Sequence, residues 1–218
     1  LKTNERILLV SLSLFNEEGE SHVTTVDIAN EMDISPGNLY YHFRGKEVII
    51  EALFNRFDES FSEVLQAPLK KELKIEDSWY YLYVVFEEMY QYRFIYQNLS
   101  DLLQRYDNVQ KRFRRLLALK HQTAATMIRS LREAGVLAMD DVAAEVLVNS
   151  LIMTLTYWIA YSSLRDNKQT AQQILHRGVF QMLSLIAPFL TEGADAYKEF
   201  CRNFYQQALD GTLTVPAH

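Results

Sequence analysis

An all-α protein in two parts is the fold this sequence predicts, and three observations predict it. Apolar residues recur at three- and four-residue spacing along nearly the whole chain, the period of helices with one buried face. Glycine (7) and proline (4) are few and scattered over 218 residues, which disfavours a strand-rich fold with its many tight turns. Start signals for two very short helices stand back to back between residues 24 and 36, and much longer periodic segments follow. The expected organisation is an N-terminal three-helix unit containing a helix-turn-helix, residues 1–46, and a larger C-terminal helical domain, residues 47–218. With 49% hydrophobic residues the chain can bury a substantial core.

The first helix is expected over 3–19, with Ile7, Leu8, Val10, Leu14 and Phe15 as its inner stripe and Gly19 as its stop. Thr24 is a good N-cap, and Asp27 three residues on completes a capping-box spacing. Val26, Ile28, Ala29 and Met32 give the second helix its apolar side, and that helix stops near Asp33. Ser35 then caps a third helix, with Pro36 at its first position, where a missing N–H costs nothing. The segment 36–43 buries Leu39 and Phe43 and leaves Gly37, Asn38, Tyr40, Tyr41 and His42 on the outer side. Two turns cannot stand alone, so this helix must rest on its neighbours. A short helix presenting a small residue, an amide, two phenols and an imidazole is suited to touching a partner.

Gly45 separates it from a fourth helix over 46–65, carrying Val48, Ile49, Leu53, Phe57, Phe61 and Leu65, with Pro68 marking the break. The next helical period, 75–92, is dense in aromatics, and a short helix over 97–105 follows. A long helix is expected from about 109 to 134, with Gly135 as its C′ residue. Around its start Arg105, Lys111, Arg112, Arg114, Arg115 and Lys120 fall mostly opposite the apolar face formed by Val109, Phe113, Leu116 and Leu117. That basic side reads first as a solvated face. The sharper alternative is a site for an anionic effector such as the phosphates of an acyl-CoA. Asp140 and Asp141 open the next helix with charges suited to its dipole. Residues 146–164 then hold no charge. A membrane span is rejected for them, because Asn149, Ser150, Thr154 and Thr156 interrupt the run and no basic cluster anchors either end. Helices over 168–186 and about 195–209 complete the chain, the last carrying Tyr197, Phe200, Phe204 and Tyr205.

Composition narrows the function. The net charge of −6 argues against broad coating of nucleic acid. A single cysteine, Cys201, excludes an intrachain disulfide, and with no signal peptide at the start a reducing cytoplasm is the expected setting. The glycines are isolated, so no phosphate-cradling loop exists. The five histidines show no metal-ligand spacing. No metal, no cofactor and no catalytic residues are expected.

The segment Thr25 to Met32, a turn, then Ser35-Pro36-Gly37-Asn38-Leu39-Tyr40-Tyr41-His42-Phe43, with Lys46 four residues after His42, resembles the helix-turn-helix of TetR/AcrR-family transcriptional regulators. The close resemblance covers roughly residues 5–55. It agrees with the chemistry of the residues. In such a motif the second helix enters the major groove with its N-terminal residues on base edges. Gly37 lets the backbone approach, and Asn38 suits the edge of adenine. Tyr40, Tyr41 and His42 can bond phosphates, and Lys46 with the amides of its helix can grip one more. Thr25 and Pro36 complete the expected DNA-facing set. The resemblance implies an effector cavity as well, and the aromatic helix and its partner supply candidates for its lining: Trp79, Tyr83, Phe86, Met89, Tyr90, Tyr157, Trp158 and Tyr161. It further implies a homodimer through the helices at about 141–164 and 168–186, a near-palindromic double-stranded DNA operator, a small hydrophobic or aromatic effector, and a repressor's role.

One feature disagrees. Residues 1–46 carry four Lys/Arg against seven Asp/Glu, where DNA binders usually show a basic footprint. The chain begins at Leu1, and unless a basic arm precedes it, modest affinity with a shallow salt dependence is expected. The acidic region is the best support for a rival reading, an all-helical small-molecule or lipid carrier without DNA activity. An enzyme with a dispersed site is the more distant rival.

Overall fold

The computed structural model describes residues 2–70, 78–166 and 168–191, with 199, 202, 203 and 206 beyond them. Most of the helix expected over 195–209 therefore lies outside the described residues, as does Ile75. An isolated bridge between Leu137 and Leu190 apart, the regular elements described are helical.

The N-terminal unit is α1 (Thr3–Glu18), a 3-10 turn (Glu20–His22), α2 (Thr25–Glu31) and α3 (Pro36–His42). Its start signals work as their chemistry requires. Thr24 Oγ1 accepts from the Asp27 amide at 3.2 Å while Asp27 Oδ2 accepts from the Thr24 amide at 2.7 Å. Ser35 Oγ accepts from the Asn38 amide at 3.2 Å. The inner side of α1 buries Ile7, Leu8 and Phe15, with Val10 and Leu14 half-buried. In α2, Ile28, Ala29 and Met32 are buried but Val26 is 48% exposed. At 100° per residue Val26 stands roughly 110° from the centre of that trio, beyond the edge of the face they bury.

α4 (Lys46–Lys70) is the spine. It buries Ile49, Ile50, Leu53, Phe54, Phe57, Phe61 and Leu65, and it runs from the small unit into the body without a break. The boundary expected at 46/47 thus falls in its first turn, and one continuous core includes buried residues from both parts. The helix also continues past the expected break: Pro68 sits inside it, losing one backbone hydrogen bond in the last turn rather than stopping the helix earlier. Gly45, at φ +122°, turns the chain between α3 and α4 through a conformation open to few other residues.

The body comprises α5 (Ser78–Gln91), α6 (Arg93–Gln97), α7 (Leu99–Arg105), α8 (Asp107–Glu133), α9 (Asp141–Arg165) and α10 (Ala171–Ile186). The sequence shows no cause for the break between α5 and α6, because the cause is distant. Asn16 of α1 donates to the Gln91 carbonyl at 2.9 Å and accepts from the Phe94 amide at 3.0 Å, so it satisfies backbone groups that the interruption frees. α9 is long and apolar enough to cross a membrane by length and composition. Here it packs on α6, α8 and α10 and buries Leu147, Leu151, Leu155, Trp158 and Ile159. Its other side leaves Val142, Val146, Met153, Tyr157, Tyr161 and Leu164 exposed. α10 starts later than expected, at Ala171, because Thr170 and Gln173 form a capping box there.

The contact of α5, α9 and α10 closes on Gly178. A Cβ at that position would lie 2.8 Å from Phe86 Cζ and 2.8 Å from Trp158 Nε1, and the indole is held by its 2.8 Å bond to the Ile174 carbonyl. Overpacking of this kind costs about 1–3 kcal/mol, more than the roughly 1 kcal/mol that alanine gains over glycine inside a helix. Gly178→Ala should therefore lower the free energy of unfolding in urea. An unchanged or raised midpoint would mean that the two rings move aside freely.

Candidate nucleic-acid interface and effector cavity

α3 is anchored from beneath by Leu39 (1% exposed) and, at its C-cap, by Phe43. Everything else on it faces out. Pro36, Gly37, Asn38, Tyr40, Tyr41 and His42 are exposed, Tyr41 to 83%, and Arg44 beside them is exposed too. The Tyr41 and His42 rings meet edge to face at 5.3 Å. Thr25, the first residue of α2, is half-buried. The turn between α2 and α3 passes through Asp33 at φ +54°, a left-handed conformation that aspartate tolerates better than most side chains. The result is a short rigid ridge of hydrogen-bonding side chains projecting from an apolar base.

Lys46 is placed differently from the expected phosphate contact. Its ammonium donates to the carbonyls of Glu20 and Val23 at 2.9 and 3.0 Å and pairs with Glu20 Oε1 at 2.9 Å. An ammonium has three donors, and these partners take them. The Glu20 side chain is 3% exposed and collects more. Arg105 bridges to both its oxygens, and the Tyr106 hydroxyl donates to Oε1 at 2.7 Å. Burial pushes the Glu20 carboxyl up, but the hydrogen bonds from Arg105, Tyr106 and Lys46 outweigh it and hold the group below its ordinary range. One carboxylate therefore joins the turn before α2, the first residue of α4 and the α7–α8 junction.

The body contains an apolar cavity between α5, α8, α9 and α10, with Leu65 of α4 at its wall. The volume it offers is small, about 80 Å³. The space is a slot rather than a chamber. Leu82 and Val85 line it from α5, Ile128 and Leu131 from α8, Leu151 and Leu155 from α9. Lys120 of α8 reaches its wall too. Among the described residues no group of three or more His, Cys, Asp or Glu could hold a metal ion.

Two family models match the chain, one described as bacterial transcriptional repressor, TetR, over residues 56–197, and one as bacterial regulatory proteins, tetR family, over residues 7–53. The chain belongs to the TetR family. Its N-terminal helices form the helix-turn-helix of that family, whose models are described as transcriptional repressors and regulatory proteins. It is 30% identical over 66 residues to the probable HTH-type transcriptional regulator YttP of Bacillus subtilis, a match covering 30% of this chain and 32% of that protein. It is 31% identical over 78 residues to the HTH-type regulator SrpR of Pseudomonas putida, covering 36% and 35%. The matches thus span about a third of these curated relatives. A crystal structure of a TetR-family regulator from Marinobacter aquaeolei superimposes with a TM-score of 0.84 at 29% identity, covering 94% of this chain and 99% of that one. The ketosteroid regulator KstR2 of Mycobacterium tuberculosis, at 16% identity and a TM-score of 0.64 over 88% and 96%, shares the fold.

Within this TetR-family body, none of the eight aromatic and Met candidates for the effector pocket lines the slot. Phe86, Met89, Tyr83 and Trp158 are buried, Tyr83 with its ring 5.4 Å from His176. Trp79 and Tyr90 are half-buried, Tyr90 beneath the Arg93 guanidinium at 4.9 Å. Tyr157 and Tyr161 are 52% and 53% exposed on the outer side of α9. The cavity instead meets Ser78, Tyr81, Leu82 and Val85, a face of α5 turned by roughly 100° from that of Trp79, Tyr83, Phe86 and Tyr90. α5 is apolar on both faces, so period alone could not choose between them.

The basic side of α8 also resolves into parts. Lys111, Arg114 and Arg115 are exposed, Arg112 pairs with Asp58 at 2.6 Å, Arg105 belongs to the Glu20 cluster, and Lys120 is 1% exposed. Lys120 had a signal in the sequence. It follows Val109, Phe113 and Leu116 at helical spacing and so falls on their buried face, whereas Leu117 is 37% exposed.

The Glu20 cluster makes a pH prediction with a definite sign. Its folded pKa is lowered, so its stabilisation is present above the unfolded value of about 4.3 and is lost as pH falls through the lower folded value. Glu20→Gln removes the charge that Arg105 and Lys46 share, and should cost about 1–3 kcal/mol at neutral pH. Urea titrations near pH 7 and below pH 4 should show the variant losing less stability on acidification than the parent. Equal losses would remove Glu20 from that role.

Proposed function

We propose that this TetR-family regulator is a repressor that binds a near-palindromic operator as a homodimer, with α3 of each subunit in the major groove and a small apolar effector in the α5–α8–α9–α10 slot. The observation that carries the reading is the ridge on α3: exposed Gly37, Asn38, Tyr40, Tyr41 and His42 over buried Leu39. Asn38 would read a base edge, Tyr40, Tyr41 and His42 would hold phosphates, and Thr25 would contact the backbone from the start of α2. Arg44, exposed at the end of α3, is the cation best placed to join them. Lys46 supports the site from behind, fixing the start of α4 through Glu20. The two halves of the operator would lie about 34–36 Å apart or a multiple of it.

The dimer reading rests on α9. Val142, Val146, Met153, Tyr157, Tyr161 and Leu164 recur at three-, four- and seven-residue spacing on the side of the helix that no other described element covers. Exposed apolar stripes of this length mark protein contacts, and α10 runs beside it to complete a four-helix contact with a second copy. With the cytoplasm as its setting, the protein would need no membrane partner.

The polar cleft formed by Glu51, Asn108, Lys111, Arg112 and Arg115 is less suited to an anionic effector than its basic residues imply. Arg112 is committed to Asp58 and Asn108 donates to Glu51 at 2.7 Å.

The acidic N-terminal region still favours the carrier reading, and one experiment separates the two. Fluorescence anisotropy with duplex DNA from upstream of the protein's own gene should show specific, salt-sensitive binding. Tyr41→Ala should weaken it about tenfold or more, with thermal stability unchanged because Tyr41 is 83% exposed. Absence of specific binding by the parent chain would favour the carrier.

A further inference from the structure

Lys120 is the group that the reading so far leaves without a task. Lysine is almost never fully buried unless paired, yet Lys120 is 1% exposed. Its ammonium donates to the Tyr96 hydroxyl at 3.2 Å and lies 5.2, 4.9 and 5.6 Å from the ring centres of Phe61, Tyr96 and Phe113. Among the described residues, no ion pair includes it. The acids on α4 are occupied or turned away: Asp58 is bound to Arg112, and Glu59 and Glu63 are exposed. Glu88 of α5 accepts from Ser60. Tyr96, the titratable group facing it from α6, is itself fully buried and pushed up by that burial. An ammonium with three donors and a single hydroxyl acceptor in an aromatic box has unused capacity for an anion.

The same side chain reaches the wall of the slot beside Leu65 and Thr123, while the rest of the lining is almost wholly apolar. We propose that the slot takes a slender apolar ligand carrying one carboxylate, and that Lys120 is the counter-ion for that carboxylate. This deepens the effector reading above and rests on it. One buried cation matches a single negative charge. A phosphate, with more charge to neutralise, would need a second cation, and among the described residues Lys120 is the one cationic residue lining the slot. The exposed Lys111, Arg114 and Arg115 do not line it. Burial lowers the Lys120 pKa to about 7, so an arriving carboxylate would restore the charged form and draw a proton from solution. The carboxylate would thus sit where α4 and α8 meet, at the end of the slot lined by Leu65, Lys120 and Thr123.

The test uses the full chain, calorimetry and two matched probe pairs: decanoate with decanol, and 4-phenylbutanoate with 4-phenylbutanol. At least one carboxylate should bind about tenfold or more tightly than its alcohol, a difference of about 1.4 kcal/mol. Lys120→Met, which keeps the length and apolar bulk of the side chain, should abolish that preference while leaving alcohol binding in place. A second readout needs no variant: binding of the carboxylate near neutral pH, compared in two buffers of different ionisation enthalpy, should show proton uptake. Carboxylates that bind no better than their alcohols, or a preference that survives in Lys120→Met, would overturn the proposal. Uptake of no proton would overturn it too. If a carboxylate binds through Lys120 but leaves the affinity for operator DNA unchanged, the ligand assignment stands and the effector reading fails.

Discussion

The buried carboxylate of Glu20 is the constraint on which the placement of the DNA-reading helix depends. It stands in the 3-10 turn ahead of α2, yet its partners come from α4, the end of α7 and the α7–α8 junction. Leaving such a carboxylate unpaired costs several kcal/mol, so the three elements must stay where Lys46, Arg105 and Tyr106 can reach it. Asn16 provides a second tie from α1 to the α5–α6 break, and Glu5 a third, through a bidentate pair with Arg56 of α4. The helix-turn-helix is therefore held to the body as one piece by polar contacts, over a shared apolar core that runs along α4.

That arrangement gives a ligand in the body a route to the DNA face. α8 contributes Lys120 and Ile128 to the wall of the slot and begins directly after the Arg105–Tyr106 pair that holds Glu20. α4 contributes Leu65 to the slot, and its first residue is Lys46. Under the proposed function, a ligand that favours a different spacing of α4 and α8 would act at both ends of the same two helices. Its leverage is bounded by its differential affinity for the two arrangements, commonly about 1–3 kcal/mol. A rigid connection is what allows so small an energy to move a helix at a distance.

The parts of this fold governed by local chemistry were legible in the sequence. The caps at Thr24 and Ser35, the buried Leu39 and Phe43, and the exposed ridge of α3 follow from spacing and residue type. What was not legible depended on contacts between distant segments. The α5–α6 break needs Asn16, seventy-five residues earlier in the chain. The inward turn of Lys46 needs Glu20. The choice of cavity face on α5 needs α8 and α9, because both faces of α5 are apolar. Lys120 is the instructive miss: grouped by charge it belongs with Arg114 and Arg115, and grouped by helical phase it belongs with Phe113 and Leu116. Phase was the better guide, because packing decides which side of a helix is buried whatever charge that side carries.

The most direct test of the account is a distance between the two reading helices. With Cys201 replaced by serine and a spin label attached at Tyr41→Cys, pulsed dipolar spectroscopy on the operator complex should give one narrow distance. It should centre near the groove repeat of about 34–36 Å or a multiple of it, and it should broaden or shift when DNA is removed. A sample with no dipolar coupling would contradict the account, as would one whose distances ignore the DNA altogether.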